Sequence, residues 1–140
     1  MPLLKELLVA FGEAFGDVPT YQDFVPGDGY LEGLLGKEHF IVVVAQEETS
    51  GHIVGGLAAY VLDKFEQERK EIYIYDLAVL GDHRRRGIAT ELIQRLRQIG
   101  KERGAYVIFV QADPGDTPAI QLYKSLGTQE DVHHFDIMVD

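Results

Sequence analysis

The spacing of hydrophobic residues along the chain predicts alternating helices and strands. In some segments apolar residues recur every three to four positions, which is the spacing of an amphipathic helix. Other segments carry continuous or alternating apolar, β-branched residues, which are typical of strands. The predicted helices are 3–15, 30–35, 88–103 and 117–126, and the predicted strands are 40–45, 52–62, 71–80, 106–110 and 132–139.

The order of these elements predicts the fold class. A helix comes first, three strands follow as an antiparallel meander, and the rest of the chain alternates strand and helix. This order is typical of an α/β (α+β) fold with one central mixed, mostly antiparallel, twisted sheet and helices on both faces. Strand 106–110 is continuously apolar, which predicts burial on both of its faces. The length of 140 residues fits a single domain over 1–140.

Glycine, proline and small polar residues mark the predicted boundaries. The segment 16–19 is predicted to break the first helix, and 21–29 is predicted to be a loop. Gly55 and Gly56 lie inside a predicted strand, which indicates a bulge or the close approach of another segment. Thr117 is the predicted N-cap of the last helix.

Composition and charge exclude several classes of function. The chain has no cysteine, which excludes disulfides, thiolate metal sites and a cysteine nucleophile. No apolar run approaches the roughly 20 residues that span a bilayer, and the start lacks the features of a signal peptide, so we expect a cytoplasmic protein with no membrane partner. The formal net charge of −10 repels nucleic acid and favours cationic partners, although solubility alone also explains it.

One short region is basic despite the acidic total. A predicted strand runs there into a glycine-containing loop that opens a helix, where unpaired N–H groups and the helix dipole attract anions. Gly87 allows a phosphate to approach the backbone closely. The spacing matches neither the P-loop nor the dinucleotide motif, and by itself it also fits a solvated loop. The basic residues are Arg84, Arg85, Arg86, Arg95, Arg97, Lys101 and Arg103.

Two motifs, one in this loop and one further along the chain, resemble the signatures of a single enzyme family. Arg84-x-x-Gly87-x-Ala89 resembles the Arg/Gln-x-x-Gly-x-Gly/Ala signature of the GNAT superfamily of N-acetyltransferases, and it lies between a strand and a long helix, as in that family. The segment 119–127, with Leu122, Tyr123 and Gly127, is similar to the second family signature. The resemblance covers nearly the whole chain, and it implies the GNAT fold, acetyl-CoA as cosubstrate and no metal.

The resemblance also implies how acetyl-CoA is held. The strand backbone of 77–79 would pair with the pantetheine arm, and the loop amides of 85–90 would hold the pyrophosphate. Tyr123 would lie near the thioester sulfur and protonate the departing thiolate, although tyrosines on amphipathic helices are more often packing residues. The implied cofactor-binding residues are Leu77, Ala78, Val79, Arg84, Arg85, Arg86, Gly87, Ile88, Ala89, Thr90, Ala119 and Tyr123.

Longer runs are similar to aminoglycoside 3-N-acetyltransferases of the GNAT type, namely 11–16, 71–79, 83–90, 111–116 and 134–137. This similarity implies acetylation, by direct attack in a ternary complex, of the 3-amino group of a 2-deoxystreptamine aminoglycoside such as gentamicin. It also implies a homodimer. The alternatives are a polyamine or protein amine as acceptor, or a CoA-binding module without turnover. The family usually has a strand before its first helix, for which this sequence leaves little room.

A cationic acceptor needs carboxylates, and its amine must lose a proton before it attacks. Asp113, at the end of strand 106–110, is the first candidate for substrate binding and for the general base, directly or through water. The alternative for Asp113 and Asp116 is a turn or a helix cap. Asp76 is expected at a strand bulge, and Asp136 could be solvated. The predicted substrate-binding residues are Asp76, Asp113, Asp116 and Asp136, and the predicted catalytic residues are Asp113 and Tyr123.

Overall fold

Three helices precede the sheet in a computed structural model that describes residues 2–23, 25–84 and 86–140. They are α1 (Pro2–Phe15), α2 (Val18–Gln22) and α3 (Asp28–Leu35). The predicted break at 16–19 and loop at 21–29 are therefore wrong in part, because α2 and α3 occupy portions of both. Pro19 lies in the first turn of α2, where backbone N–H groups have no hydrogen-bond partner within the helix. The N–H group that proline lacks is not needed there, so proline is favoured at this helix start. None of the helices in these ranges is long and apolar enough to cross a bilayer.

Four strands form one sheet in the order β1-β2-β3-β4. Their bounds are β1 (Phe40–Gln46), β2 (Ile53–Asp63), β3 (Lys70–Val79) and β4 (Ala105–Val110). The first three strands are antiparallel neighbours, whereas β4 is parallel to β3. A 3₁₀ turn (Gly81–His83) and helix α4 (Ile88–Glu102) make the crossover, and α5 (Thr117–Leu126) follows β4. The predicted mixed, mostly antiparallel sheet is confirmed.

Helices cover both faces of this sheet, as predicted. On one face, α4 places Leu92, Ile93 and Leu96 in a buried cluster with sheet residues that include Leu57 and Ile72. Residues of α5 pack against the edge of the same cluster. On the other face, Leu7 and Phe11 of α1 form a second cluster with Ile53 and Ala78. The sheet is therefore a central layer with α4 and α5 on one side and α1 on the other.

The glycine pair of β2 marks a close approach between α1 and the sheet. A Cβ atom at Gly56 would lie 2.6 Å from Leu7 Cδ1 and 2.8 Å from the carbonyl oxygen of Val43. A side chain at this position would therefore push α1 away from the sheet. This confirms the close approach predicted for Gly55 and Gly56.

Two strand predictions are corrected by the structure. β4 is not buried on both faces, because Tyr106 and Val107 are exposed and β4 pairs only with β3 among the described residues. The segment 132–139 forms no strand, although its apolar residues alternate as a strand requires. A strand needs a neighbour for its N–H and C=O groups, and no described strand of the same chain pairs with this segment.

Candidate functional site

The two parallel strands of the sheet separate at one end and leave a notch between them. Pairing between β3 and β4 ends at Ile74 and Val110, whereas β3 stays paired with β2 as far as Val79. In the described chain, the edge of β3 after Ile74 that faces away from β2 therefore has no strand partner. Such an edge offers backbone N–H and C=O groups to an extended amide chain. Residues 77–79, predicted to pair with pantetheine, lie along this free edge.

A bulge in β3 lies where the strands diverge. Ala58 of β2 pairs with Asp76, but Ala59 pairs with Ile74, so Tyr75 is the extra residue. A bulge bends its strand and increases the local twist, which turns β3 away from β4. The bulge expected at Asp76 is therefore present, and it provides a physical reason for the notch.

The loop before α4 has the geometry of an anion site. Gly87 adopts a left-handed conformation (φ 77°) immediately before α4, and among the described residues no side chain caps this helix. The first N–H groups of α4 therefore lack a capping acceptor, and the helix dipole adds positive potential. A Cβ atom at Gly87 would have no described heavy atom within 4 Å. The first turn, 88–90, is partly buried, and the site fits the pyrophosphate predicted for it.

The basic residues of the loop have different environments. Arg84 Nε donates a hydrogen bond to the carbonyl oxygen of Val79 at 3.2 Å, which ties the loop to the end of β3. Arg86 is exposed beside the N-terminus of α4, and Arg85 lies outside the described residues. His83 Nε2 lies 2.8 Å from Glu47 Oε2, and this contact lowers the pKa of Glu47 to about 2, with further hydrogen bonds from Ser50 and Thr49.

Two clefts flank this loop. One, of about 450 Å³, lies between β1 and α4 and includes His83, Arg86 and Glu91 in its lining. The other, of about 390 Å³, lies between α1 and the loop and includes Glu13 and Arg84. Residues 77–79 line neither cleft. The backbone N–H and C=O groups that could hold an extended amide chain or an anion lie instead at the free strand edge and at the N-terminus of α4.

A half-buried tyrosine–carboxylate pair lies on the α1 side of the notch. The hydroxyl of Tyr21 donates a hydrogen bond to Asp76 Oδ1 at 3.0 Å. Burial raises the pKa of Asp76 above its usual range, and the hydrogen bond from Tyr21 only partly opposes this effect. Burial and the Asp76 charge also raise the pKa of Tyr21. Tyr21 is not among the predicted site residues, because the segment 21–29 is predicted to be a loop. The signal for a helix there is Pro19, since proline is favoured at a helix start.

Aromatic side chains form a continuous strip across the sheet beside Asp76. Successive ring centroids are 5.4, 6.2, 5.7 and 4.7 Å apart, and the last two rings are stacked. Tyr75, the bulged residue, is 64% exposed, so the strip has a face open to solvent. Aromatic faces attract cations. We call this set the aromatic strip: Phe40, Tyr60, Tyr75, Tyr73 and Phe109.

The end of β4 and the start of α5 bring several predicted residues together. Asp116 Oδ1 accepts a hydrogen bond from the amide of Ala119 at 3.3 Å. Asp116, not Thr117, is thus the N-cap of α5, because its side chain reaches the free amide of the first turn. Asp113 is exposed, and its carbonyl oxygen accepts a hydrogen bond from the amide of Asp116 at 2.9 Å. Tyr123 is half-buried on α5, where burial and the nearby Asp116 raise its pKa.

Asp136 is the predicted site residue that the structure does not bring to this notch. It is exposed in the segment after α5, and its Oδ1 lies 2.9 Å from His134 Nε2. The described residues contain no group of three or more His, Asp or Glu side chains suited to hold a metal. The half-buried carboxylate of Asp76 lies on the α1 side of the sheet, and the half-buried Tyr123 packs on the opposite side against the α4 core.

Comparison with known proteins identifies the family. The model of the acetyltransferase (GNAT) family matches residues 3–128. A solved aminoglycoside acetyltransferase from an uncultured soil metagenomic sample is 57% identical, with a TM-score of 0.96, covering 99% of this chain and 91% of that chain. A second one from such a sample, solved in complex with sisomicin, is 34% identical with a TM-score of 0.80, covering 97% and 92%.

Curated relatives are more distant. N-acetyltransferase family 8 member 2 of Rattus norvegicus is 30% identical over 88 residues, which are 63% of this chain and 39% of that protein. The chain spans 39% and 41% of the lengths of the first two curated relatives that it matches. The family match nevertheless includes the strand edge, the loop before α4 and the whole of α5. The chain belongs to the acetyltransferase (GNAT) family.

Proposed function

We propose that this enzyme transfers the acetyl group of acetyl-CoA to the 3-amino group of a 2-deoxystreptamine aminoglycoside such as gentamicin, and so inactivates the antibiotic. The observation that carries the proposal is the 57% identity, over 99% of the chain, to a solved aminoglycoside acetyltransferase. The acidic surface, with a formal net charge of −10, suits a polycationic acceptor. We further propose that one domain over 1–140 carries this activity in the cytoplasm, as a homodimer.

Acetyl-CoA, the cosubstrate of this family, supplies the acetyl group as an activated thioester. In our proposal the free edge of β3 at 77–79 pairs with its pantetheine amides, and the first amides of α4 hold its pyrophosphate. Ala119 lies near the thioester end. Tyr123 holds the proton that the departing sulfur needs; because its pKa is raised, the hydroxyl stays protonated at neutral pH.

The acceptor enters from the α1 side in this proposal. The aromatic strip binds its ammonium groups by cation–π attraction, and the carboxylates of Asp76, Asp113 and Asp116 pair with them. One carboxylate accepts the proton that the attacking amine loses. Asp76 is a good candidate because burial raises its pKa towards the range in which a base works at neutral pH. Asp113 is the exposed alternative indicated by the sequence.

The direct test is acetylation by the purified full chain. With acetyl-CoA and gentamicin we expect release of free thiol and a product that carries one acetyl group on its 3-amino nitrogen, located by NMR. Spermidine and a lysine-containing peptide are the comparison acceptors. Turnover with these but with no aminoglycoside would favour the alternative acceptors. If nothing turns over while calorimetry shows CoA binding, the protein is a non-catalytic CoA-binding module.

Substitution of Gly87 by valine should weaken CoA binding. Valine at a left-handed φ costs on the order of 1–2 kcal/mol, and its side chain would project into the open space before α4. We expect the Kd for CoA, measured by calorimetry, to rise roughly tenfold or more.

Gly104→Val is the matched control for this substitution. Gly104 also has a left-handed φ (80°) and open space around it, but it lies after the C-terminus of α4. Both variants should lose similar stability, and only Gly87→Val should lose affinity. Equal affinities in the two variants would contradict the assignment of the loop.

The pH profile should distinguish the two candidate bases. If Asp76 takes the proton, kcat/KM rises with pH through its elevated pKa and then levels off. Asp76→Asn should remove this acidic limb, whereas Asp113→Asn, at an exposed position, should mainly raise KM for the aminoglycoside. The opposite pattern would assign the proton transfer to Asp113.

Thermal unfolding provides the control for folding. A carboxyl group whose pKa is raised in the folded state destabilises the fold once pH exceeds its unfolded pKa. At neutral pH, Asp76→Asn should therefore be at least as stable as the wild type. A loss of rate with no loss of stability is the expected combination.

A further inference from the structure

A histidine–glutamate contact joins the loop before α4 to the turn between β1 and β2. His83 Nε2 lies 2.8 Å from Glu47 Oε2, and the two side chains are only 21% and 36% exposed. The two residues are 36 positions apart, and neither of them belongs to a strand. The contact therefore connects two loop segments that are distant in the sequence.

The glutamate end of this contact is fixed by the turn to which it belongs. The amide of Glu47 donates a hydrogen bond to the carbonyl oxygen of His52 at 2.9 Å. Its carboxylate also accepts a hydrogen bond from Thr49 Oγ1 at 3.2 Å. The hydrogen bond from His83, with further ones from the turn, lowers the pKa of Glu47 to about 2. At neutral pH the carboxylate is therefore ionised and held in one position.

The histidine end lies shortly before Gly87 and the first turn of α4. His83 is the last residue of the 3₁₀ turn Gly81–His83, and its amide donates a hydrogen bond to the carbonyl oxygen of Leu80 at 2.9 Å. Arg84 connects the loop to β3, the strand from which the loop begins. His83 connects the same loop to a separate segment of the chain, and so restrains it from the side of β1.

We propose that His83 is a positioning residue for acetyl-CoA. Held by Glu47, it keeps the loop before α4 in the conformation that receives the pyrophosphate. This inference rests on the proposed function, which places the pyrophosphate at the first amides of α4. A loop that is free to move loses conformational entropy when it closes on an anion, and a loop that is already ordered avoids this loss.

The charge of Glu47 separates a positioning role from an electrostatic one. Glu47 lines the same cleft as Arg86 and Ile88, at the start of α4, and a carboxylate there repels a phosphate. If Glu47 acted through its charge alone, its removal should strengthen CoA binding. A positioning contact predicts the opposite sign, because its removal frees the loop.

Calorimetry with CoA tests the contact directly. His83→Ala should raise the Kd for CoA about three- to tenfold, and Glu47→Ala should raise it by a similar factor. The double variant should bind CoA no more weakly than either single variant, because both substitutions remove the same contact. His83→Gln should recover most of the affinity, since its amide N–H can donate to the carboxylate as the imidazole does.

His52→Ala is the matched control variant. His52 Nδ1 lies 3.3 Å from Glu6 Oε1, so it makes the same kind of contact from the same turn, but its partner belongs to α1. This variant should keep the wild-type Kd for CoA. Pantetheine, which lacks the pyrophosphate, is the control ligand, and its Kd should be equal in the wild type and in His83→Ala. Thermal unfolding checks that each variant is folded.

Three results would overturn the positioning role. The first is an unchanged Kd for CoA in His83→Ala. The second is tighter CoA binding by Glu47→Ala, which would make its charge the dominant effect. The third is an equal loss of affinity for CoA and for pantetheine, which would indicate a general disruption of the site. Should His83→Ala fail to fold, the sign of the change in Glu47→Ala decides the question.

The Gly87→Val variant separates this inference from the proposed function. If Gly87→Val weakens CoA binding and His83→Ala does not, only the positioning role fails. If neither substitution changes the Kd for CoA, the placement of the pyrophosphate fails as well. These measurements use CoA and pantetheine alone, so they remain decisive whichever amine the enzyme acetylates.

Discussion

Substitution of Tyr123 by phenylalanine should lower kcat by about 10²–10⁴-fold, the usual contribution of a positioned general acid. The ring packs against the α4-side core, and phenylalanine keeps this packing, so stability and CoA affinity should change little. Steady-state kinetics with calorimetry on the same variant separates these quantities. Because the pKa of Tyr123 is raised, the wild-type rate should not fall in the alkaline range before an ordinary tyrosine would ionise, near pH ~10.

Tyr106→Phe is the matched control for the loss of this hydroxyl. Tyr106 lies on β4 at the end away from the notch, where its hydroxyl donates a hydrogen bond to Glu71. We expect this variant to keep its kcat. If both variants retained full activity, another group or solvent would protonate the leaving group, and the assignment of Tyr123 would be wrong. A lower CoA affinity without a change in kcat would make Tyr123 a binding residue.

Substitution of Leu96 by alanine should lower the free energy of unfolding by about 2–5 kcal/mol, the range for large-to-small changes in protein cores. Leu96 is fully buried between α4 and the sheet, together with Leu57 and Ile72. Its truncation would remove apolar burial and leave a cavity at the centre of this layer. Denaturant unfolding measures the change directly, and the melting temperature should fall by roughly 8–15 °C.

Leu3→Ala is the control for this prediction. Leu3 lies on α1 and is 45% exposed, and alanine favours helix, so the change should be within about 0.5 kcal/mol. Equal losses in the two variants would contradict the core described for α4. The Leu96→Ala substitution should weaken CoA binding only slightly, because Leu96 lies two turns into α4 and not at its N-terminus.

Helices and strands whose apolar residues recur with a regular spacing could be predicted from the sequence. The apolar spacing of 88–103 places Leu92 and Leu96 on one face, and the structure buries both. Gly87, just before that helix, adopts the left-handed conformation. Glycine favours a positive φ because it has no Cβ, so this feature can be predicted from the residue type. The first helix and four of the five predicted strands are confirmed for the same reason. The cap of α5 was placed one residue late, since Asp116 and Thr117 are both good caps and only backbone direction selects between them.

Features that depend on contacts between distant segments required the structure. The segment 132–139 has a strand pattern, but pattern alone cannot supply the neighbour that a strand needs. Strand β4 is exposed on one side because it lies at the edge of the described sheet, and its apolar sequence does not reveal this position. Tyr21 and Asp76 are 55 positions apart, so their hydrogen bond has no signature in either local sequence.

The sequence by itself determined the family, the order of most of the elements and the glycine loop before α4, because periodicity, glycine conformation and the two signatures are local. Only the tertiary structure decided how these parts make a site. The bulge at Tyr75 separates β3 from β4 and frees the edge at 77–79. Packing in the folded chain leaves Asp76 and Tyr123 half-buried, and this burial raises the pKa of both. Burial and strand separation arise from packing between distant segments, and such packing is a property of the folded chain.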